Sequence, residues 1–185
     1  MKVKNTLIWL LLLLALAVWL ASYLGMGRPE LSTAPALDES DLPTKLHPAV
    51  KEKKDKLISL AAKRNIEMVV TDDFRSVEEQ NELYEKGRSA PGNIVTHVKG
   101  GESFHNFGLA FDYAIKNKAG QVIWDINYDG NGNDKSDWFE VAALAKQMGF
   151  RWGGDWERFK DYPHLEMTFG LTINDLLRGE RPEEA

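Results

Sequence analysis

The longest apolar run lies near the N-terminus. Residues 6–24, TLIWLLLLLALAVWLASYL, hold nineteen positions without a charge. As a helix they would span roughly 28 Å, close to the apolar thickness of a bilayer. Lys2 and Lys4 precede the run and favour a cytoplasmic N-terminus. The pattern predicts a cytoplasmic stub (1–5) and a transmembrane signal-anchor (6–24). A cleaved signal peptide is the alternative. Its apolar region is shorter, about 7–15 residues, and a cleavage site closes it. The small residues of STAPA, 32–36, stand well past the run.

After the run the pattern changes. Residues 25–45 are rich in Pro, Ser and acidic residues and read as a linker. Alternating helix and strand periods then predict one domain over 46–177, followed by a polar tail over 178–185. Val50, Leu57, Leu60 and Ala61 share a face and predict a helix over 48–64. IEMVVT, 66–71, reads as a strand, and Ser76-x-x-Glu79 as a capping box opening a helix that stops near Gly87. Residues 88–102 form a Gly/Pro-containing loop. Over 109–115 the period is two, with Leu109, Phe111, Tyr113 and Ile115 on one side and Ala110, Asp112 and Ala114 on the other. Further strands are predicted over 121–128 and 164–168, a helix over 137–148 stopped by Gly149, and a short last helix capped by Thr172. Helices and strands mix without a βαβ rhythm, which predicts an α+β fold with a small, mainly antiparallel sheet flanked by helices.

Composition narrows the function classes. With no cysteine among 185 residues, neither a disulfide nor a lipid-modified cysteine can form, so an exported domain must rely on its core and on metals. Two of the 23 basic residues and none of the 28 acidic ones fall in residues 1–27, which leaves the remainder at a net charge of −7. That balance argues against nucleic acid as a partner, because such binding needs a basic patch.

The candidate chemistry centres on SFHNFGLAFD, 103–112. His105 stands on a turn that Gly108 can bend, and Asp112 projects from the small-residue face of the following strand. A catalytic zinc needs about three protein ligands and an open position. Of the other histidines, His47 sits at a helix start, where a surface role is expected, and His97 lies in the loop. His164, in DYPHLEM, shares a strand face with Glu166 and follows Asp161 by three residues. His105, Asp112 and His164 therefore make a candidate three-ligand site, with Asp161 or Glu166 as general base. Hydrogen-bonding roles for the same residues are the bland alternative. Arg75, on the turn before the capped helix, either faces substrate or pairs with Asp72 or Asp73. Ser103 either contacts substrate or caps its turn. Gln80 and Tyr84 border either a cleft or a helix surface, and Trp152, Trp156 and Phe159 line a core or a groove.

The pattern Ser-x-His-x-x-Gly-x-Ala-x-Asp, together with DYPHLEM, resembles the zinc peptidases that cut peptidoglycan stem peptides. These include D-alanyl-D-alanine carboxypeptidases and L-alanyl-D-glutamate endopeptidases. The likeness extends through TDDFRSVEEQNELYEKGR and GFRWGGDWERFKDYPHLEMTFGLT, and so over nearly all of 46–172; WGGDW, and GR after the capped helix, resemble the endopeptidase branch. The resemblance implies a hedgehog/DD-peptidase-like fold, zinc on His105, Asp112 and His164, Asp161 as general base, and Arg75 as the cation facing substrate. Glu166 becomes a group that orients a ligand. The implied substrate is the stem peptide, cut at L-Ala–D-Glu, with D,D-carboxypeptidase activity or a non-catalytic wall-binding module as alternatives. The expected location is extracytoplasmic, anchored to the membrane by residues 6–24.

A second metal candidate is DGNGNDKSDWFE, 129–140. Counted as a twelve-residue calcium loop, oxygen ligands fall on Asp129, Asn131, Asn133, Asp137 and Glu140, with the Lys135 carbonyl at the seventh place. The sixth place, ordinarily glycine, is Asp134. The alternative is a Gly/Asn turn leading into a helix capped by Asp137, with Glu140 completing a capping box.

Overall fold

The computed structural model describes residues 39–183. The predicted cytoplasmic stub, signal-anchor and most of the linker lie outside these residues. Among the described residues no helix is long and apolar enough to cross a membrane.

Helix α1 (Pro48–Ala62) starts with proline at its first turn, where a missing N–H costs no hydrogen bond. It stops two residues earlier than the apolar spacing predicts. Asn65 adopts a left-handed conformation (φ 58°), and the Ile66 N–H turns back to the Ala61 carbonyl. Strand β1 (Glu67–Asp72) follows, then α2 (Val77–Glu85), whose capping box forms as the sequence predicts: Ser76 and Glu79 each bond the other's backbone N–H.

Strand β2 (Ala110–Lys116) is central. β1 pairs along one edge, while β5 (His164–Glu166) and the two-residue β3 (Val122–Ile123) share the other. β4 (Arg151–Trp152) adds outside β5, and every pairing is antiparallel. Helices α3 (Asp137–Gln147) and α4 (Ile173–Leu177) complete the fold, α4 with the Thr172 cap in place.

Period two divides the sheet by task. Phe111, Tyr113 and Ile115 of β2 and Leu165 of β5 are fully buried in a core with Val50, Leu57 and Ala61 of α1 and Trp138, Val141 and Ala145 of α3. Phe111 meets Phe150 edge-on at 5.4 Å, and the Tyr113 hydroxyl donates to the Trp138 carbonyl at 3.0 Å. The opposite side of the sheet carries Asp112, His164 and Glu166, brought together by the register Asp112↔His164 and Ala110↔Glu166.

Three expectations are corrected. The strand predicted over 121–128 survives only as Val122–Ile123. Past Ile123 the antiparallel register runs back toward Tyr113 and Asp112, where the Tyr113 N–H already donates to the Pro163 carbonyl and β5 occupies residues 110–112, so the chain leaves the sheet and Asp125 folds it into a turn by accepting from Asn127 N. α3 is N-capped by Ser136 rather than Asp137, and the Ser136 hydroxyl bonds the Ile126 carbonyl instead of the helix. His47 is half-buried and not fully at the surface: its ring meets the Phe169 ring at 5.1 Å, tilted by 55°, and among the described residues neither ring nitrogen has a hydrogen-bond partner.

Candidate metal centre and groove

A short 3-10 turn, Phe104–Phe107, holds His105. Ser103 caps it by accepting from His105 N, and Gly108 ends it at φ 65°. A side chain at Gly108 would strike the Lys45 carbonyl, 2.4 Å from where its Cβ would stand. Asn106, fully buried, ties the turn to its neighbours. Its Nδ2 donates to the Arg75 and Ser76 carbonyls, and its Oδ1 accepts from Gly101 N.

His105, Asp112 and His164 converge as the sequence predicts. His105 Nε2 lies 3.2 Å from His164 Nδ1, and Asp112 Oδ1 is 3.3 Å from each of those nitrogens. A tetrahedral zinc with arms of about 2.0–2.1 Å has donor-to-donor edges of about 3.3–3.4 Å. The three separations match that triangle. The outer nitrogens are fixed as well: His105 Nδ1 donates to the Asp73 carbonyl at 2.6 Å, and His164 Nε2 donates to Glu166 Oε2 at 3.1 Å. Each imidazole therefore turns its other nitrogen toward the same point. Two imidazoles and a carboxylate, with their far sides tied, fit zinc.

Charge follows geometry. Burial pushes the Asp112 carboxyl up, but hydrogen bonds and charges from His105 and His164 outweigh it and hold Asp112 well below the carboxylate range. Burial pushes His164 down, yet its bonds to Asp112 and Glu166 win and raise it to about 9. Asp161 lies on the groove wall near this centre. Burial and then the Asp112 charge push it up, against the opposing pull of His164, His105 and Arg75. Its placement depends on Gly153, because a Cβ there would stand 2.4 Å from the Asp161 carbonyl oxygen.

Arg75 lines the groove and pairs with Asp72, as one of its two predicted roles required. Nε and Nη2 reach Asp72 Oδ2 at 3.1 and 2.5 Å, and Nη1 reaches Gln80 Oε1 at 2.7 Å. Nη2 also stands 3.5 Å from Asp112 Oδ2. Gln80, fully buried, passes the tie on to the 88–102 loop through the Val98 carbonyl and Thr96. The cavity measures about 740 Å³ and is walled by Ile94, Val95 and Val98 of that loop and by Trp156 and Phe159. His97 meets the Phe159 ring at 6.1 Å. Arg151 also lines it; nothing in the sequence around that residue marks it as part of the site.

An open groove beside a two-histidine, one-carboxylate centre and a half-buried acid defines a metallopeptidase-type site. The family profile described as D-alanyl-D-alanine carboxypeptidase matches residues 96–167, which include all three metal-ligand candidates and Asp161. The chain is 56% identical over 140 residues to the peptidoglycan L-alanyl-D-glutamate endopeptidase CwlK of Bacillus subtilis, covering 76% of this chain and 84% of that one. It is 29% identical over 114 residues to the L-alanyl-D-glutamate peptidase of Listeria phage A118, covering 62% of this chain and 35% of the phage protein. The solved structure of DacB from Streptococcus pneumoniae D39 superposes with a TM-score of 0.52 at 21% identity, over 78% of this chain and 77% of that one, and shares the fold. The chain belongs to the peptidoglycan peptidase family that holds the D-alanyl-D-alanine carboxypeptidases and L-alanyl-D-glutamate endopeptidases.

Proposed function

We propose that this protein is a zinc-dependent endopeptidase that hydrolyses the L-Ala–D-Glu bond of peptidoglycan stem peptides. The observation that carries the reading is the donor triangle of His105, Asp112 and His164 at zinc spacing, open to a groove that also holds Asp161. The identity to the Bacillus subtilis endopeptidase supports the choice of bond.

Zinc held there would polarise the scissile carbonyl and lower the pKa of water at the open position. Asp161 takes the proton of the attacking water and returns it to the leaving amine. Arg75, held by Asp72 and Gln80 with Nη2 3.5 Å from Asp112 Oδ2, acts on the charge developing on the carbonyl oxygen through its field and not by a direct bond. Glu166 holds the His164 ring in its ligating orientation. The groove between the 94–98 loop and Trp156 admits an extended peptide.

The experiment is a digest of purified muropeptides with and without chelator, read by mass. Release of the stem after L-Ala, abolished by chelator, is the expected result. Loss of terminal D-Ala would assign D,D-carboxypeptidase activity instead, and no change would leave a wall-binding module.

Two further readings accompany this one. Residues 6–24 anchor the domain on the outer side of the cell membrane, where its substrate is. Protease shaving of intact protoplasts tests this: an accessible domain with a protected N-terminus is expected, and a domain found only in the medium overturns it. The loop over 129–140 binds a structural calcium. Support comes from Asp137, 1% exposed, whose carboxylate is turned into the loop with Oδ2 accepting from Gly130 N while Oδ1 is buried with no hydrogen-bond partner among the described residues. Asp134 takes the left-handed conformation (φ 63°) that a calcium loop requires at its sixth place.

A further inference from the structure

Two arginines line the groove, and their bonding differs. Arg75 is 9% exposed, and all three of its guanidinium nitrogens are engaged by Asp72 or Gln80. Arg151, on β4, leaves 61% of its side chain exposed and spends one nitrogen, Nε, on Glu166 Oε1 at 3.3 Å. Among the described residues its two terminal nitrogens make no hydrogen bond. An ion pair at Nε leaves Nη1 and Nη2 as a fork, the arrangement that takes a carboxylate by two parallel bonds. Lys160 lines the same cavity, but its ammonium has no described anchor and offers no planar fork.

That ion pair has a second function. Glu166 is 3% exposed and bridges Arg151 to His164: Oε1 faces Arg151 Nε, and Oε2 faces His164 Nε2 at 3.1 Å. Arg151 is thus one carboxylate away from a residue of the donor triangle. A substrate group held by its fork lies beside the scissile bond, not at the far end of the stem.

The proposed substrate supplies such a group. A D-glutamyl residue has two carboxyls. Whichever one continues the chain, the other is free, and it belongs to the residue whose amine leaves. We propose that Arg151 binds the free carboxylate of the D-glutamyl residue on the leaving side and makes the protein selective for stems in which that carboxyl is not amidated. The inference rests on the endopeptidase reading above.

The test uses the full-length zinc-loaded protein and two synthetic stem peptides, one with the free D-Glu carboxyl and one with it amidated to D-isoglutamine. Wild type should prefer the acid about 10–100-fold in kcat/KM, with the difference mainly in KM, as for loss of a charge-assisted hydrogen-bonded pair. Arg151→Ala should lose most of that preference. Arg151→Lys keeps a cation beside Glu166 but loses the fork, so its preference should fall between the two with zinc content intact. If Arg151 served only to neutralise Glu166 and steady His164, Arg151→Ala would slow both stems equally and lower zinc content. That result, or equal wild-type cleavage of both stems, overturns the assignment and leaves the endopeptidase reading standing. Wild type inert on both stems overturns the endopeptidase reading and the assignment with it.

Discussion

Asp112 and His164 face each other across the β2–β5 ladder, fifty-two residues apart in sequence, with Oδ1 3.3 Å from Nδ1. Backbone pairing sets this distance, because cross-strand neighbours on one face stand about 4.5–5.5 Å apart at Cβ. Two of the three proposed ligands are thus placed by the sheet itself, and the third by a capped turn docked against its end. Asp112→Asn keeps the shape and removes the charge between the imidazoles. It should lower zinc affinity by at least about tenfold, measured by competition with a chromogenic chelator, while the fold remains intact by circular dichroism.

Asp161→Ala should retain zinc at wild-type stoichiometry and lose at least about 10²-fold in kcat on the stem peptide, the usual contribution of a positioned general base. Muropeptide turnover and metal analysis on the same sample check both halves. Wild-type turnover in this variant would remove Asp161 from its role.

Metal-free protein should have a pH-dependent stability set in part by His164. Its folded pKa, about 9, lies above the ordinary 6.5, so protonation favours the folded state. The stabilisation is fully present below about 6.5 and is lost as the pH rises through about 9. Melting curves of chelator-treated protein should therefore show a falling Tm across that window. With zinc bound, the metal takes the proton's place and the slope should flatten.

The 129–140 loop gives a two-sided prediction. Burial, then the Asp129 and Glu140 charges, push the Asp137 carboxyl up, so at neutral pH its ionised form burdens the calcium-free fold. Stability from this group rises as the pH falls through its folded pKa toward the unfolded value. Without calcium, Asp137→Asn should match or exceed wild-type Tm at neutral pH, and the difference should shrink on acidification. With calcium at 10–100 times a sub-millimolar Kd, wild type should gain about 3–10 °C and Asp137→Asn should not. Zinc is held constant in both arms. A wild-type Tm that ignores 10 mM calcium would leave the loop a capped turn.

Gly108→Ala should destabilise the domain by at least about 2 kcal/mol and weaken zinc binding with it. The position has φ 65°, and an added Cβ would collide with the Lys45 backbone carbonyl, which has no side-chain freedom to move away. Thermal denaturation and zinc titration of the variant check the two effects together.

Much of the site was legible along the chain because local rules place it. The period-two run of β2 put Asp112 on the face opposite the core, Gly108 marked the turn that carries His105, and Pro163 and the alternation after it placed His164 with Glu166 on one side of a strand. Ser76 and Thr172 likewise announced their helices, since a cap bonds within its own first turn. What required the folded chain were the meetings between segments. Strand β3 stopped at Ile123 because the same edge of β2 is taken further on by Pro163 and β5, a competition the apolar run QVIWDINY cannot express. His47 is half-buried because the Phe169 ring comes back over it. The sequence left Gln80 between a cleft edge and a helix surface and carried no signal at Asn106; burial makes both the ties that hold Arg75 and the 88–102 loop. Arg151 gained a neighbour only when β4 paired with β5 and set it beside Glu166. Side-chain chemistry and local periodicity reside in the order of residues, and so the ligands and the acid were visible there. Which guanidinium is consumed by neighbours and which stays open to substrate depends on distances across the sheet, and tertiary packing alone decides those.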